Sequence, residues 1–205
     1  MSGCCDHDDF DVQALKVKSF RRILWIVLII NGVMFFVEFS SAFFAGSVAL
    51  QADALDFLGD TVTYAITLLA LGYPLAVRAR AAMFKGVSLG LLGLWVYGQM
   101  IYYFISGQIP SYQIMGVMGV IAFIANLVSA ILLYRYRVGD SNMQSVWLCS
   151  RNDAIGNLAI IIAASGVFVT GTGWPDFVVA TIIASLAVTA SYRIIKLAAL
   201  EIRIA

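Results

Sequence analysis

Six runs of about twenty mostly apolar residues dominate this chain, each long enough to cross a bilayer as a helix. They fall near residues 23–45, 49–73, 84–106, 112–134, 143–170 and 175–197. Residues that favour turns separate them: Gly46-Ser47, Tyr73-Pro74, Gly107 to Ser111, Gly139 to Asn142, and Gly171 to Pro175. The expected fold is an all-α membrane protein of six transmembrane helices. Composition agrees. Of 205 residues 61% are hydrophobic and 12% charged, with a mean hydropathy of +0.91, whereas soluble domains carry about 25% charged residues. A water-soluble enzyme, a nucleic-acid binder and a disordered chain are excluded. The 13 Lys+Arg nearly balance the 12 Asp+Glu, so charge points to no polyanionic partner. Residues 1–20 are polar and acidic, unlike a cleaved signal peptide. They read as a short tail before a transmembrane domain over 21–205. The three cysteines, Cys4, Cys5 and Cys149, do not form a disulfide framework.

Orientation follows from the basic residues. Lys16, Lys18, Arg21 and Arg22 precede the first run, and Arg78, Arg80 and Lys85 lie between the second and third. Arg135 and Arg137 follow the fourth, while Arg193, Lys196 and Arg203 close the chain. Twelve of the 13 cations therefore lie on one side, and the excess of Lys and Arg on the cytoplasmic side predicts both termini there.

Glu38, Asp53, Asp56, Asp60, Arg151 and Asp153 all fall inside the predicted spans. Each costs at least ~2.5 kcal/mol at a helix centre, so such residues face the bundle interior or a wet cavity. Five acids against one arginine call for a compensating cation, a metal ion or protons. Arg151 lies two residues from both Cys149 and Asp153, off their face, and is expected to partner Glu38 or Asp53.

The second span reads QADALDFLGDTVTYAI and the fifth VWLCSRNDAIGNLAIII. Asp56 and Asp60, four apart, share one helix face, with Asp53 a turn nearer the outer end. Cys149, Asp153 and Asn157 repeat the spacing of four. If the two faces oppose, three carboxylates and a thiol make an O/S site of the kind a tetrahedral divalent metal accepts. Without a cation, adjacent carboxylates repel until one holds a proton, so the same site suits metal and protons in alternation. The plainer reading makes Asp56 and Asp60 interhelical hydrogen-bonding residues or a channel wall, and Cys149 a small hydrophobe. Asn157 is a ligand or, the preferred reading, a hydrogen-bond donor across helices; with Asp53 it is an accessory candidate.

These residues resemble the cation diffusion facilitator family, divalent-metal exporters usually called zinc transporters. The stretch NGVMFFVEFSSAFFAGSVALQADALDFLGD is similar to the family's first two spans through Asn31, Glu38, Gly46, Ser47, Ala49, Leu50, Asp53 and Ala54. DAIGNLAIIIAA at 153–164 and Asn126 also fit, and the likeness runs from about residue 20 to the end. The resemblance implies Asp56, Asp60, Cys149 and Asp153 as metal ligands. Family members usually have His where Cys149 stands; a thiolate is softer and favours Zn²⁺ or Cd²⁺ over Mn²⁺ or Fe²⁺. They also usually carry a cytoplasmic metal-binding and dimerising domain, whereas this chain is expected to lack a C-terminal cytoplasmic domain.

The N-terminal Cys4, Cys5 and His7, amid aspartates, are candidates for loading a soft metal, or simply an acidic tail. Gly86, Gly90 and Gly93 lie at close-packing spacing, preferred as helix packing, with a homodimer face as the alternative. Aromatic residues such as Trp95, Tyr102, Tyr103 and Trp174 are assigned to packing or interfacial anchoring. The function expected is proton-coupled export of Zn²⁺, and also Cd²⁺, across a bacterial inner membrane by alternating access between spans 2 and 5. The ion is cargo, no resident cofactor is implied, and the partners are metal, protons and lipid. An intramembrane aspartyl protease using Asp60 and Asp153 is the enzymatic rival, but Leu58-Gly59-Asp60 lacks the Gly-x-Gly-Asp turn of that class. A metal-binding subunit or sensor that does not transport is the third reading.

Overall fold

The computed structural model describes residues 6–70, 75–137 and 141–204. Six helices occupy them: α1 (Asp6–Ala45), α2 (Val48–Ala70), α3 (Leu75–Ser106), α4 (Tyr112–Leu133), α5 (Ser141–Thr170) and α6 (Trp174–Ile204). A single 3₁₀ turn over Tyr134–Tyr136 extends α4. Among the described residues there is no strand.

Over the described residues the predicted runs are helical, but three helices overrun their runs. α3 begins at Leu75 rather than near 84, α6 continues to Ile204, and α1 starts at Asp6 inside the expected tail. Neither Arg nor Lys breaks a helix; both propagate one well, so a charged boundary of an apolar run is not a boundary of the helix. The N-terminal candidates Cys4 and Cys5 lie outside the described residues, as does the side chain of His7.

The ends of α1, α3 and α5 share one device. Gly46, Gly107 and Gly171 each adopt a left-handed backbone, with φ of 62°, 65° and 61°, which a Cβ would disfavour. At the first, Gly46 N–H donates to Phe43 O and Ser47 N–H to Ala42 O, closing the last carbonyls of α1 as a Schellman turn. The chain reverses within two residues, and α2 follows at Val48.

Packing sorts the helices. α3 packs most extensively on α6, α4 on α5 and α1 on α2, while α2 also touches α3, α4, α5 and α6 and so runs through the middle. The glycines explain the closeness of α3 and α6. A Cβ at Gly86 would sit 2.8 Å from Ile195 Cγ1, and one at Gly90 2.6 Å from Ser191 Oγ. Ser191 Oγ donates instead to Gly86 O at 2.7 Å. The glycine stripe is therefore a packing face, as expected, and all of it points at α6.

The distribution of polarity is inverted relative to a soluble domain. Asn31, Glu38, Gln51, Asp53, Asn126, Asn157 and Asp176 are buried, while Phe44, Ile105 and Val169 stand about four-fifths exposed, at 84%, 79% and 79%. Such an apolar exterior marks a surface for lipid. Among the described residues, five helices carry stretches long and apolar enough to cross a membrane: 19–45, 86–106, 112–136, 150–170 and 174–203. α2 has 23 residues, about 35 Å of helix, but its three aspartates keep it outside that set. The molecule is a multi-pass, all-helical membrane protein.

Candidate metal centre

α2 and α5 run antiparallel, and three side-chain contacts define their register. Nearest one end, Tyr64 on α2 donates to Asp60 Oδ2 and lies 3.2 Å from Ser150 Oγ on α5. In the middle, the carboxyls of Asp60 and Asp153 meet. Toward the other end, Asn157 Nδ2 donates to Asp53 Oδ2 at 2.5 Å. As numbers rise along α2 they fall along α5, so the two faces read from spacing do oppose each other. Asp56 stands between Asp53 and Asp60 on α2 and shares the field of Asp153.

The four carboxylates differ in setting. Asp53 is 2% exposed, whereas Asp56, Asp60 and Asp153 are half-buried. Among the described side chains, no three of His, Cys, Asp and Glu already converge as an ion's ligands would. Asp60 and Asp153 form the pair, with Asp56 next to it. Cys149 lies on α5 one turn before Asp153, and its side chain is outside those described.

A chain of amides fixes Asp53. Asn126 Nδ2 on α4 donates 3.0 Å to Asn157 Oδ1, whose own Nδ2 serves Asp53. Asn157 thus acts as the interhelical donor preferred from its sequence. On the opposite flank of Asp53 lies Glu38 of α1, its carboxyl turned to Asp53. Glu38 is fully buried, and neither of its oxygens receives a hydrogen bond.

Arg151 departs from expectation. It is exposed, its guanidinium lies 5.2 Å from the centre of the Trp147 ring, and it donates to Asn152 Oδ1 at 3.0 Å. It partners neither Glu38 nor Asp53. Two residues along a helix turn through about 200°, which takes Arg151 to the outside, where a long cation reaches toward the membrane surface.

Three residues escaped the sequence reading. Tyr64 continues the spacing of four through Asp56 and Asp60, a periodicity that could have found it. Ser150 adjoins Cys149 and carried no signal of its own. Asp176, in the first turn of α6, is fully buried and accepts from Ser47 Oγ at 2.6 Å, Val48 N at 2.8 Å and Ala49 N at 3.2 Å. It therefore caps α2 rather than its own helix.

Chemically, α2 and α5 offer hard oxygen donors facing one another between the two helices. Intramembrane carboxylates of this kind are candidates for an ion site. A family model described as the cation efflux transmembrane domain matches residues 77–202. Similar proteins include the cadmium, cobalt and zinc/H(+)-K(+) antiporter of Bacillus subtilis (strain 168), 24% identical over 193 residues, 86% of this chain and 61% of that protein. The metal cation efflux system protein CzcD of Cupriavidus metallidurans is 27% identical over 179 residues, 80% of this chain and 55% of its own. The zinc transporter ZitB of Escherichia coli (strain K12) is 26% identical over 191 residues, covering 86% of this chain and 60% of ZitB. The chain thus spans little more than half the length of these relatives.

Proposed function

The chain belongs to the cation efflux family, the cation diffusion facilitators its motifs resemble, and on that premise we propose that it moves Zn²⁺, and also Cd²⁺, out of the cytoplasm in exchange for protons. Its relatives are named as an antiporter, a metal cation efflux system protein and a zinc transporter, which sets the protease reading aside. In this proposal α2 is the sixth span, both termini and the basic connections face the cytoplasm, and the membrane is a bacterial inner membrane. The whole chain from residue 21 acts as the transmembrane domain.

The cargo site is Asp56 and Asp60 from α2 with Asp153 and Cys149 from α5; Asp53 and Asn157 support it from the next turn. The observation that carries this reading is the antiparallel register that sets Asp60 against Asp153, with an acidic face on a helix running through the middle of the bundle. Carboxylates and a thiolate bind metal only when deprotonated, so metal uptake releases protons and protonation releases metal. Exposing the site alternately to each side couples the two flows.

The test is Zn²⁺ flux into proteoliposomes under an imposed pH gradient, with Asp60→Ala as control. Flux that follows the gradient and vanishes in the variant is the expected result. Full flux in Asp60→Ala overturns the site. Zinc binding without flux in the unaltered protein replaces the exporter with a sensor or subunit.

A further inference from the structure

α2 carries the acidic face, and its first turn is held from outside the helix. A helix N-terminus leaves four amide groups without intrahelical partners. Here Ser47 N–H donates to Ala42 O of α1 at 3.2 Å, and Leu50 N–H to Ser47 Oγ at 3.1 Å. The other two belong to Asp176: Val48 N–H meets its Oδ2 and Ala49 N–H its Oδ1. Ser47 Oγ adds a third donor to the same carboxylate. A fully buried carboxylate 127 to 129 residues away in the chain thus completes the cap, and its charge faces the positive end of the α2 dipole.

The position of this contact in the fold matters more than its strength. α3 and α6 form one closely packed pair, tied within itself by Ser191 to Gly86 and by Tyr97 to Ser185. α2, α4 and α5 are tied by Tyr64 to Ser150, Asn126 to Asn157 and Asn157 to Asp53, and α1 packs on α2 and α4 to complete the other group. Among the described residues, the side-chain hydrogen bonds seen between the pair and the group all run through Asp176. Elsewhere α2 and α5 meet α3 and α6 by helix packing, and packed helices can slide past one another.

We propose that Asp176 is a positioning residue for transport: a polar clasp that couples the α3–α6 pair to the cargo-bearing helix α2 at the Gly46 end of the bundle. The clasp touches no cargo. It holds the start of α2 on α6, so movement of either body acts on the helix that carries Asp56 and Asp60. Loss of the clasp therefore leaves the ligands in place and uncouples the bodies. This inference rests on the transport reading above.

The experiment compares the full chain with Asp176→Ala and Asp176→Asn in three readouts: Zn²⁺ affinity of the purified protein, Zn²⁺ flux in proteoliposomes, and amide hydrogen exchange. Expected in Asp176→Ala is exchange at Val48 and Ala49 at least tenfold faster, Zn²⁺ affinity within about threefold of the unaltered protein, and flux reduced at least tenfold. Asn keeps one acceptor oxygen and lies between. Undiminished flux in Asp176→Ala with fast exchange at Val48 and Ala49 overturns the proposal, leaving only a helix cap. Flux and affinity falling together also overturn it, because the residue then shapes the site itself. If Asp176→Ala does not fold, the Asn variant decides by the same criteria. Absence of flux in the unaltered protein overturns both the zinc reading and this one, whereas intact flux there with a failed prediction in the variants removes the clasp alone.

Discussion

Tyr64 spends its hydroxyl on a carboxylate that the proposed site needs. Its O–H donates to Asp60 and its oxygen lies near Ser150, so it orients Asp60 and ties α2 to α5 at that level. Groups that hydrogen-bond a metal's ligands typically change affinity 10–100-fold when removed. Tyr64→Phe should lower Zn²⁺ affinity by that order in calorimetry, with a stability loss of about 1 kcal/mol; unchanged affinity would show that Asp60 needs no such anchor. Glu38 presents the opposite case, a buried carboxyl without a donor. In Glu38→Gln an amide can donate to Asp53, so thermal unfolding should shift upward, by about 1 kcal/mol, whereas Glu38→Ala leaves Asp53 facing a void and should shift it down. The aspartates were legible because a charge within an apolar run is expensive and must have a reason. Tyr64 was not, because an aromatic residue at helical spacing ordinarily signifies packing. Asp176 was the least legible of all: it sits where an acid normally serves its own helix N-terminus, and nothing local announces that it serves one 127 residues earlier.

At the scale of the helix, the α3–α6 contact makes a paired prediction. Gly90 faces Ser191 so closely that a Cβ has no room, while Gly98, two turns on, has nothing within 4 Å. Gly90→Val should therefore destabilise by about 1–3 kcal/mol as the helices are forced apart, and Gly98→Ala should be neutral or stabilising by up to ~1 kcal/mol. Thermal unfolding of both variants in detergent checks the pair, and equal effects would count against the close approach. The helices themselves were readable from apolar run length and from glycines at their ends. Their limits were not, because run length measures what lipid tolerates and not where the backbone stops being helical. α3 shows the difference: Arg78, Arg80 and Lys85 looked like a connection, yet the helix passes through them from Leu75. Orientation of faces was partly legible. The stacking of Asp56 on Asp60 followed from the period, but their apposition to Asp153 needed the antiparallel placement of α5, which only tertiary packing supplies.

Across the whole molecule, polar groups collect inside and apolar ones outside, and the proposed exchange reading makes a prediction at this scale. Zn²⁺ affinity should fall steadily as pH is lowered, since every proposed ligand must lose a proton to bind; titration of the purified protein at a series of pH values measures this, and a flat profile would sink the exchange reading. The two ends of the bundle also differ in kind. At one end the connections are the tight turns 46–47, 107–111 and 171–173, with no Lys or Arg among them. At the other, Arg21, Arg22, Arg80, Arg135, Lys196 and Arg203 are exposed or near the surface. A protease that cuts only after Lys and Arg would therefore find one face of this protein invisible. Trypsin added to sealed right-side-out vesicles should leave the chain whole, and added to inverted vesicles should reduce it to membrane-protected fragments. The glycine turns that let the helices reverse so tightly thus also leave that end of the bundle without a bond such a protease can cut.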